Sequence, residues 1–350
     1  MSLSSIISKD IIKKKCHPMC FYLKWTDDGC KDRKKYVAQW TNIDSIDSKL
    51  IKWKCRVNFK DIGEITLATD YVTKDPFVLL KENPYNNTSY LKSHLQKSIR
   101  RGNVNKSLKT ALHFYDNNAN DFLRRLCIIA IEDALPLEGF STIVWFMSAY
   151  SKNYNISESH MGWILGYVHD LAKCQYYEQM DKKLAQKKNK NIRNLRLYQL
   201  PQDGKDLCYS IMFRQGYGGM RSDKAMCLNA TMLWSMRYST NSRFLQLLDR
   251  KHIFMTPPTT DLLKNEWFSA AIDFHCYTGI IDYLWERNDE FDQEQIKNAI
   301  WHCSSCITNK KNIATDIGQR DWSNEKHIAV WNVIKKDFMG ISKFMILKNS

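Results

Sequence analysis

The sequence predicts an α+β protein, mainly α, with a small antiparallel β region over residues 1–80 and a large helical domain over residues 90–350. Three observations predict it. Only 13 glycines and 7 prolines serve 350 residues, too few for the many tight turns of an all-β fold. The first eighty residues carry short aromatic and β-branched runs, whereas apolar residues beyond position 90 recur at helical spacing. Hydrophobic residues make up 44% of the chain, enough to bury a core and to exclude a disordered polypeptide.

In the β region, CFYLKW, KKYVAQW, KWKCRVNF and EITLATDYV read as three or four strands, separated by polar clusters such as TDDGCKDRK and NIDSIDSK. Trp25, Tyr36, Trp40, Trp53 and Phe59 give this sheet an aromatic face. Beside Lys24, Lys34, Lys35, Lys52 and Lys54, such a face can stack nucleobases, or it can be the core against a neighbouring layer. KENPYNNTSY, residues 81–90, is a linker: Pro84 stops a strand, and Thr88 or Ser89 caps the next helix.

The stretch from Tyr90 to Asp133 reads as two helices joined by a loop. The first carries Leu91, Leu95 and Ile99, then Leu108, Ala111 and Leu112 past a Gly102-Asn103 break; the second carries Phe122, Leu123, Leu126, Ile129 and Ala130. STIVWFMSAYSK is apolar on nearly every face and reads as a buried helix. ISESHMGWILGYVHDLAKCQYYEQMDKKL is a long amphipathic helix capped by Ser157, running into the basic connector QKKNKNIRNLR. DLCYSIMFRQGYGGMRSDKAMCLNATMLWSMRY gives helix, glycine turn and helix. PPTT at residues 257–260 marks a boundary within the helical domain. Two amphipathic helices follow, separated by the acidic cap NDEFDQEQ, and a tail helix ends near Gly340.

A net charge of +15 points to an anionic partner, with nucleic acid foremost, although the Lys- and Asn-rich composition equally fits a compositional bias. The residues expected at phosphates are Lys92, Lys97, Arg100, Arg101, Arg124 and Arg125, and the connector residues Lys182, Lys183, Lys187, Lys188, Arg193 and Arg196. Arg214 and Arg221 join them, flanking a glycine turn that can cradle a phosphate at a helix N-terminus or simply connect two helices. Each basic run also fits a solvated helix face.

LQKSIRRGN followed by FLRRLCIIAIED resembles the C-terminal helical region of the RarA/MgsA family of replication-associated AAA+ ATPases, whose eukaryotic member is the Werner-helicase-interacting protein. The matching positions are Lys97, Arg100, Arg101, Gly102, Leu123, Arg124, Arg125, Leu126, Ile129, Glu132 and Asp133, with a second echo in RQGYGGMRSD at Arg214 to Asp223. That region is similar to the collar of clamp loaders. The resemblance implies a collar-like helical domain, DNA rather than RNA as partner, assembly into a homo-oligomer, and docking onto replication or repair proteins. The chain departs from the family in having no G-x-x-x-x-G-K-[S/T] loop, so the resemblance does not extend to ATP hydrolysis.

Two groupings could carry chemistry. His169-Asp170 resembles the central motif of HD-domain metal-dependent phosphohydrolases. His113 or His160 would supply the upstream histidine and Asp206 or Asp273 the downstream aspartate, although none lies at the family's spacing; the alternative is a hydrogen-bonded structural histidine. His275, His302, Cys303 and Cys306 could hold zinc or form a redox pair, with a buried Asp273–His275 hydrogen bond as the structural alternative. Cys16, His17, Cys20, Cys30 and Cys55 form a weaker zinc pattern. No complete catalytic motif is present, so the sequence leans away from an enzyme and requires no cofactor; zinc or another divalent metal is the class these groupings would take. Eleven scattered cysteines, a polar opening from Met1 to Asp10 and the lack of an eighteen-residue apolar run predict reduced thiols, a cytosolic or nuclear location and no membrane span.

Overall fold

The structure is a computed structural model that describes residues 19–27, 34–59, 63–79, 87–178, 196–249, 255, 278–304 and 317–349. It is mainly helical with a small N-terminal sheet. Four strands, β1 (Met19–Asp27), β2 (Lys34–Asn42), β3 (Trp53–Phe59) and β4 (Gly63–Thr69), lie in the order β2-β1-β4-β3. The β1/β2 and β3/β4 pairs are antiparallel, as expected, but β1 and β4 run parallel, with Cys20 opposite Thr66. The reason is the connection after β2, whose turns return the chain so that the second hairpin docks through β4. That connection also covers the outer face of the sheet: Ile43, Ile46 and Ile51 pack on Cys20, Tyr22 and Ala68.

The aromatic face is core. Tyr36 and Trp40 are buried, Trp25 and Trp53 pack against the same core, and the Phe21 and Trp40 rings stack 4.4 Å apart. Helices α1 (Thr88–Arg100), α2 (Val104–Glu132), α3 (Phe140–Tyr150), α4 (Glu158–Lys173), α5 (Gln202–Gly216) and α6 (Arg221–Ser239) share this core, and α3 and α5 pack directly on the sheet. They also quench the exposed edge of β2. Ala38 N donates to Thr142 Oγ1 (3.1 Å), Trp40 N donates to Asp206 Oδ1 (2.6 Å), and Gln202 Nε2 donates to Trp40 O (3.0 Å). Side chains from α3 and α5 thus occupy the groups through which a sheet edge would recruit another strand. Sheet and helices therefore share one continuous core.

Three helical expectations change. The Gly102-Asn103 break ends α1, and the loop expected between the two helices is a kink at Asn118, whose backbone is non-helical, within the span of α2. Phe114 and Phe122, packed 5.8 Å apart, hold the chain helical on both sides of it. The long helix from Ser157 stops at Lys173, and the chain turns into β5 (Tyr176–Glu178), which pairs antiparallel with β6 (Ile317–Gln319). The tail helix continues through Gly340. Helices α7 (Thr278–Trp285), α8 (Gln293–Cys303) and α9 (Glu325–Asn349) enclose a second core around Leu284, Ile300, Ile334 and Phe338. Among the described residues, no helix is long and apolar enough to cross a membrane.

Candidate nucleic-acid interface

Arg100 and Arg101 close α1, where the last-turn carbonyls lack helical partners. Gly102 follows at φ +68°, a conformation that favours glycine, and a Cβ there would lie 2.7 Å from the Trp322 ring. Glycine therefore lets the indole lie directly on the backbone. Trp322 Nε1 donates to Arg100 O (3.3 Å), and Arg320 Nη1 donates to Ile99 O (3.0 Å). Cations are favoured at this end of a helix. Arg320 is itself held by β6, which ends one residue earlier, and its N–H donates to Gln175 O (2.7 Å).

These contacts bring Arg100, Arg101 and Arg320 to the wall of one cavity of about 230 Å³. Two guanidiniums lie over indole rings, Arg100 on Trp301 at 5.0 Å and Arg320 on Trp322 at 5.5 Å. Such stacking fixes the planes of the groups while leaving their edges able to donate. Asp133, whose side chain is 2% exposed, accepts from Arg100 Nε at 2.6 Å and from Gln96 Nε2 at 2.6 Å. Asp321 lines the same cavity, and its Oδ1 accepts from Ser323 N (3.1 Å). Burial lowers the pKa of Arg320, and its Nη2 is sealed from solvent with no hydrogen-bond partner among the described residues.

His302 and His327 complete the lining, with ring centroids 5.4 Å apart. His302 Nε2 lies 3.2 Å from Trp322 O. A carbonyl only accepts, so this nitrogen carries the proton. Burial first, and then the neighbouring His327, lower the pKa of His302.

The other basic residues are distributed differently. Lys92 pairs with Asp121 across α1 and α2 at 2.7 Å, and Lys97 is buried. Arg125 Nη2 donates to Gln96 Oε1, and Arg124 Nη2 donates to Tyr217 O (3.2 Å). Arg214 is 3% exposed; its Nη1 donates to Gly218 O (2.8 Å) and its Nε to Arg124 O (3.2 Å). The expected phosphate cradle at the glycine turn therefore loses Arg214, because a carbonyl of the turn itself, at Gly218, and one of α2, at Arg124, take its donors. Arg196 and Arg221 are exposed, whereas Lys182, Lys183, Lys187, Lys188 and Arg193 lie outside the described residues.

The metal candidates do not assemble among the described residues, where no group of three His, Cys, Asp or Glu side chains is placed to hold a metal ion. His169 Nδ1 lies 3.3 Å from Oδ1 of the buried Asp170. His160 instead accepts from Ser157 N (3.0 Å) in the capping box of α4, His113 is buried on α2, and Asp206 holds β2. Burial pushes the Cys303 thiol up to about 11, which disfavours the thiolate that zinc requires. Cys20 is buried on β1, with its thiol pushed up to about 12 for the same reason, and Cys55 sits on β3. Cys16, His17, Cys30, Asp273, His275 and Cys306 lie outside the described residues.

A second cavity, of about 560 Å³, opens between β2, α3 and α5. Glu138, Asp203, Asp206 and Asp249 line it together with apolar and aromatic side chains, and its described lining contains no Lys, Arg or His. Burial raises the Asp206 carboxyl to about 6 against the hydrogen bonds from Trp40 and Gln202.

No family model, curated protein or solved structure matches this chain. Sequence reasoning found Arg100 and Arg101 in the basic cleft and considered His302 only as a metal ligand. It missed Arg320 and Trp322, which follow β6 and are placed by its pairing with β5, and His327, which lies in the first turn of α9.

Proposed function

We propose that this protein binds nucleic acid through its phosphate groups and acts as an accessory or scaffold factor in DNA replication or repair. The observation that carries this reading is the convergence of Arg100, Arg101 and Arg320 on one cavity, two of them stacked on tryptophans. Preorganised guanidiniums are the side chains best suited to phosphate oxygens. The net charge of +15 supplies long-range attraction to a polyanion. DNA as the preferred polymer, an oligomer and docking onto replication or repair proteins are supported by the collar-like resemblance of residues 90–133.

The test is binding of labelled single- and double-stranded DNA and RNA across a salt series, with Arg100→Glu/Arg101→Glu as the comparison. Affinity falls steeply with salt, by about 0.9 in the logarithmic slope for each phosphate neutralised on duplex DNA, and the double variant flattens that slope. Failure to retain DNA at about 50 mM salt, or binding indifferent to salt, overturns the reading.

A further inference from the structure

The larger cavity, between β2, α3 and α5, plays no part in the nucleic-acid reading, and its lining is graded from floor to mouth. Its volume of about 560 Å³ falls within the roughly 300–1,000 Å³ of small-molecule sites. The floor is aromatic: Tyr36, Phe140 and Trp163 line the cavity and are buried. The mouth is acidic: Glu138, Asp203 and Asp249 line it and are exposed. Asp206 is half-buried and stands between the two. Two rings of the lining are fixed against backbone. Gly139 adopts φ +98°, and a Cβ there would lie 3.0 Å from the Trp163 ring, which also stacks on Tyr167 at 5.9 Å. Tyr238 lies against Gly204, where a Cβ would come within 2.8 Å of its ring. Rings held in place beforehand lose little freedom when a ligand arrives.

The carboxylates have no cation of their own. The described lining contains no Lys, Arg or His, and none of the ion pairs among the described residues involves Asp203, Asp206 or Asp249. Both hydrogen bonds to Asp206 fall on Oδ1, from Trp40 N and Gln202 Nε2, so no described residue takes Oδ2. Lys205 is close enough to favour the charged form of Asp206 but lies outside the lining. An arriving cation would offset the burial that holds this carboxyl near 6.

We propose that this cavity binds a small organic cation, a protonated arylalkylamine, with its ring on the aromatic floor and its ammonium group among the carboxylates. An apolar floor under an acidic mouth selects a ligand with the same two ends. The ammonium group donates to Asp206 Oδ2 and to Asp203 or Asp249, and the ring faces of Trp163 and Tyr238 add attraction for the cation. A neutral ligand of the same shape keeps only the apolar contact, and an acid of that shape is repelled.

The full-length chain is titrated by calorimetry with tryptamine, with neutral N-acetyltryptamine and with indole-3-propionate, which carries a carboxylate in place of the ammonium group. Asp206→Asn and Asp203→Asn are measured alongside. The first keeps an oxygen for Trp40 and Gln202, and the second changes an exposed residue in the first turn of α5, so the test does not hang on one variant's fold. Tryptamine binds about tenfold or more tightly than N-acetyltryptamine, and indole-3-propionate binds most weakly. Loss of about threefold to tenfold in tryptamine affinity in either variant, with N-acetyltryptamine unchanged, upholds the proposal. Equal binding of the three compounds, tryptamine affinity unchanged in both variants, or no tryptamine binding below about 5 mM overturns it.

Discussion

The two cavities are built from opposite chemistry within one basic protein. The cleft at the end of α1 gathers three arginines and two histidines, whereas the larger cavity beside β2 gathers four carboxylates and no described basic residue. The difference teaches that net charge says little about any one site. The charge of +15 belongs to the whole chain; which surface can meet an anion depends on which arginines the fold has already used. Arg124, Arg125 and Arg214 bind backbone or amide oxygens within the protein, whereas Arg100, Arg101 and Arg320 line one cavity.

The strongest way to break this contrast is to cut the support of the basic cleft. Glu178 ends β5 and holds Arg237 of α6 in a buried ion pair, with Arg237 also over the Trp234 ring at 4.5 Å. Because β5 pairs with β6, and β6 leads into Arg320, this pair anchors the cleft from behind. Glu178→Gln removes the carboxylate charge from a buried guanidinium and lowers stability by about 3–5 kcal/mol in denaturant titration. The predicted loss of anion binding accompanies it.

A local cut comes next. Gly102→Ala places a methyl group against the Trp322 ring in a backbone conformation that disfavours alanine. It costs about 2 kcal/mol in thermal unfolding and displaces Trp322 from the Arg100 carbonyl. DNA affinity falls with it. Unchanged stability and binding would mean that the indole does not depend on this glycine.

The acidic side is sharpened by Asp206→Asn. The folded carboxyl titrates near 6, above its ordinary 3.8, so the folded state holds this proton more tightly than the unfolded state. Its contribution to stability is present below pH 3.8 and is lost as pH rises through 6. Asparagine keeps an oxygen for Trp40 N–H and Gln202, removes that falling limb and raises stability at pH 7 by about 2 kcal/mol, allowing for partial exposure. Urea titrations at pH 4 and pH 7 read the difference; identical pH dependence in both proteins would remove Asp206 as its source.

The smallest effect concerns the imidazoles. His302 faces His327, Arg101 and Asp321, and burial keeps its pKa low. A bound anion favours the imidazolium, so anion affinity rises as pH falls toward 6. His302→Gln flattens that rise by roughly threefold or less, an effect read in affinity at pH 6 and pH 8.

The broad architecture was legible because it is written in short-range patterns. Strand runs before residue 80, helical spacing after 90, the Ser157 cap and the Gly-Tyr-Gly-Gly turn all depend on neighbours in sequence. The parallel pairing of β1 with β4 was not legible, because it depends on how two hairpins meet. At Asn118 the division between two helices was legible, and only its form differs: the chain makes a kink there where the sequence suggested a loop, with Phe114 and Phe122 packed across it. The cleft was half legible: RR before Gly announces a basic helix end, whereas Arg320 and Trp322 arrive from more than two hundred residues away through tertiary contacts. Burial of Arg214 was likewise a property of packing, hidden from local sequence.

The measurement that bears most directly on the central claim is the DNA affinity of Arg101→Gln set against Arg196→Gln and Arg221→Gln at one salt concentration. Arg101 lines the cleft, whereas Arg196 and Arg221 are exposed residues outside its lining, and each substitution removes one positive charge. Loss of about tenfold in Arg101→Gln with roughly twofold changes in the other two is the predicted result. Equal losses in all three would contradict it, and would make binding a property of overall charge instead of the cleft.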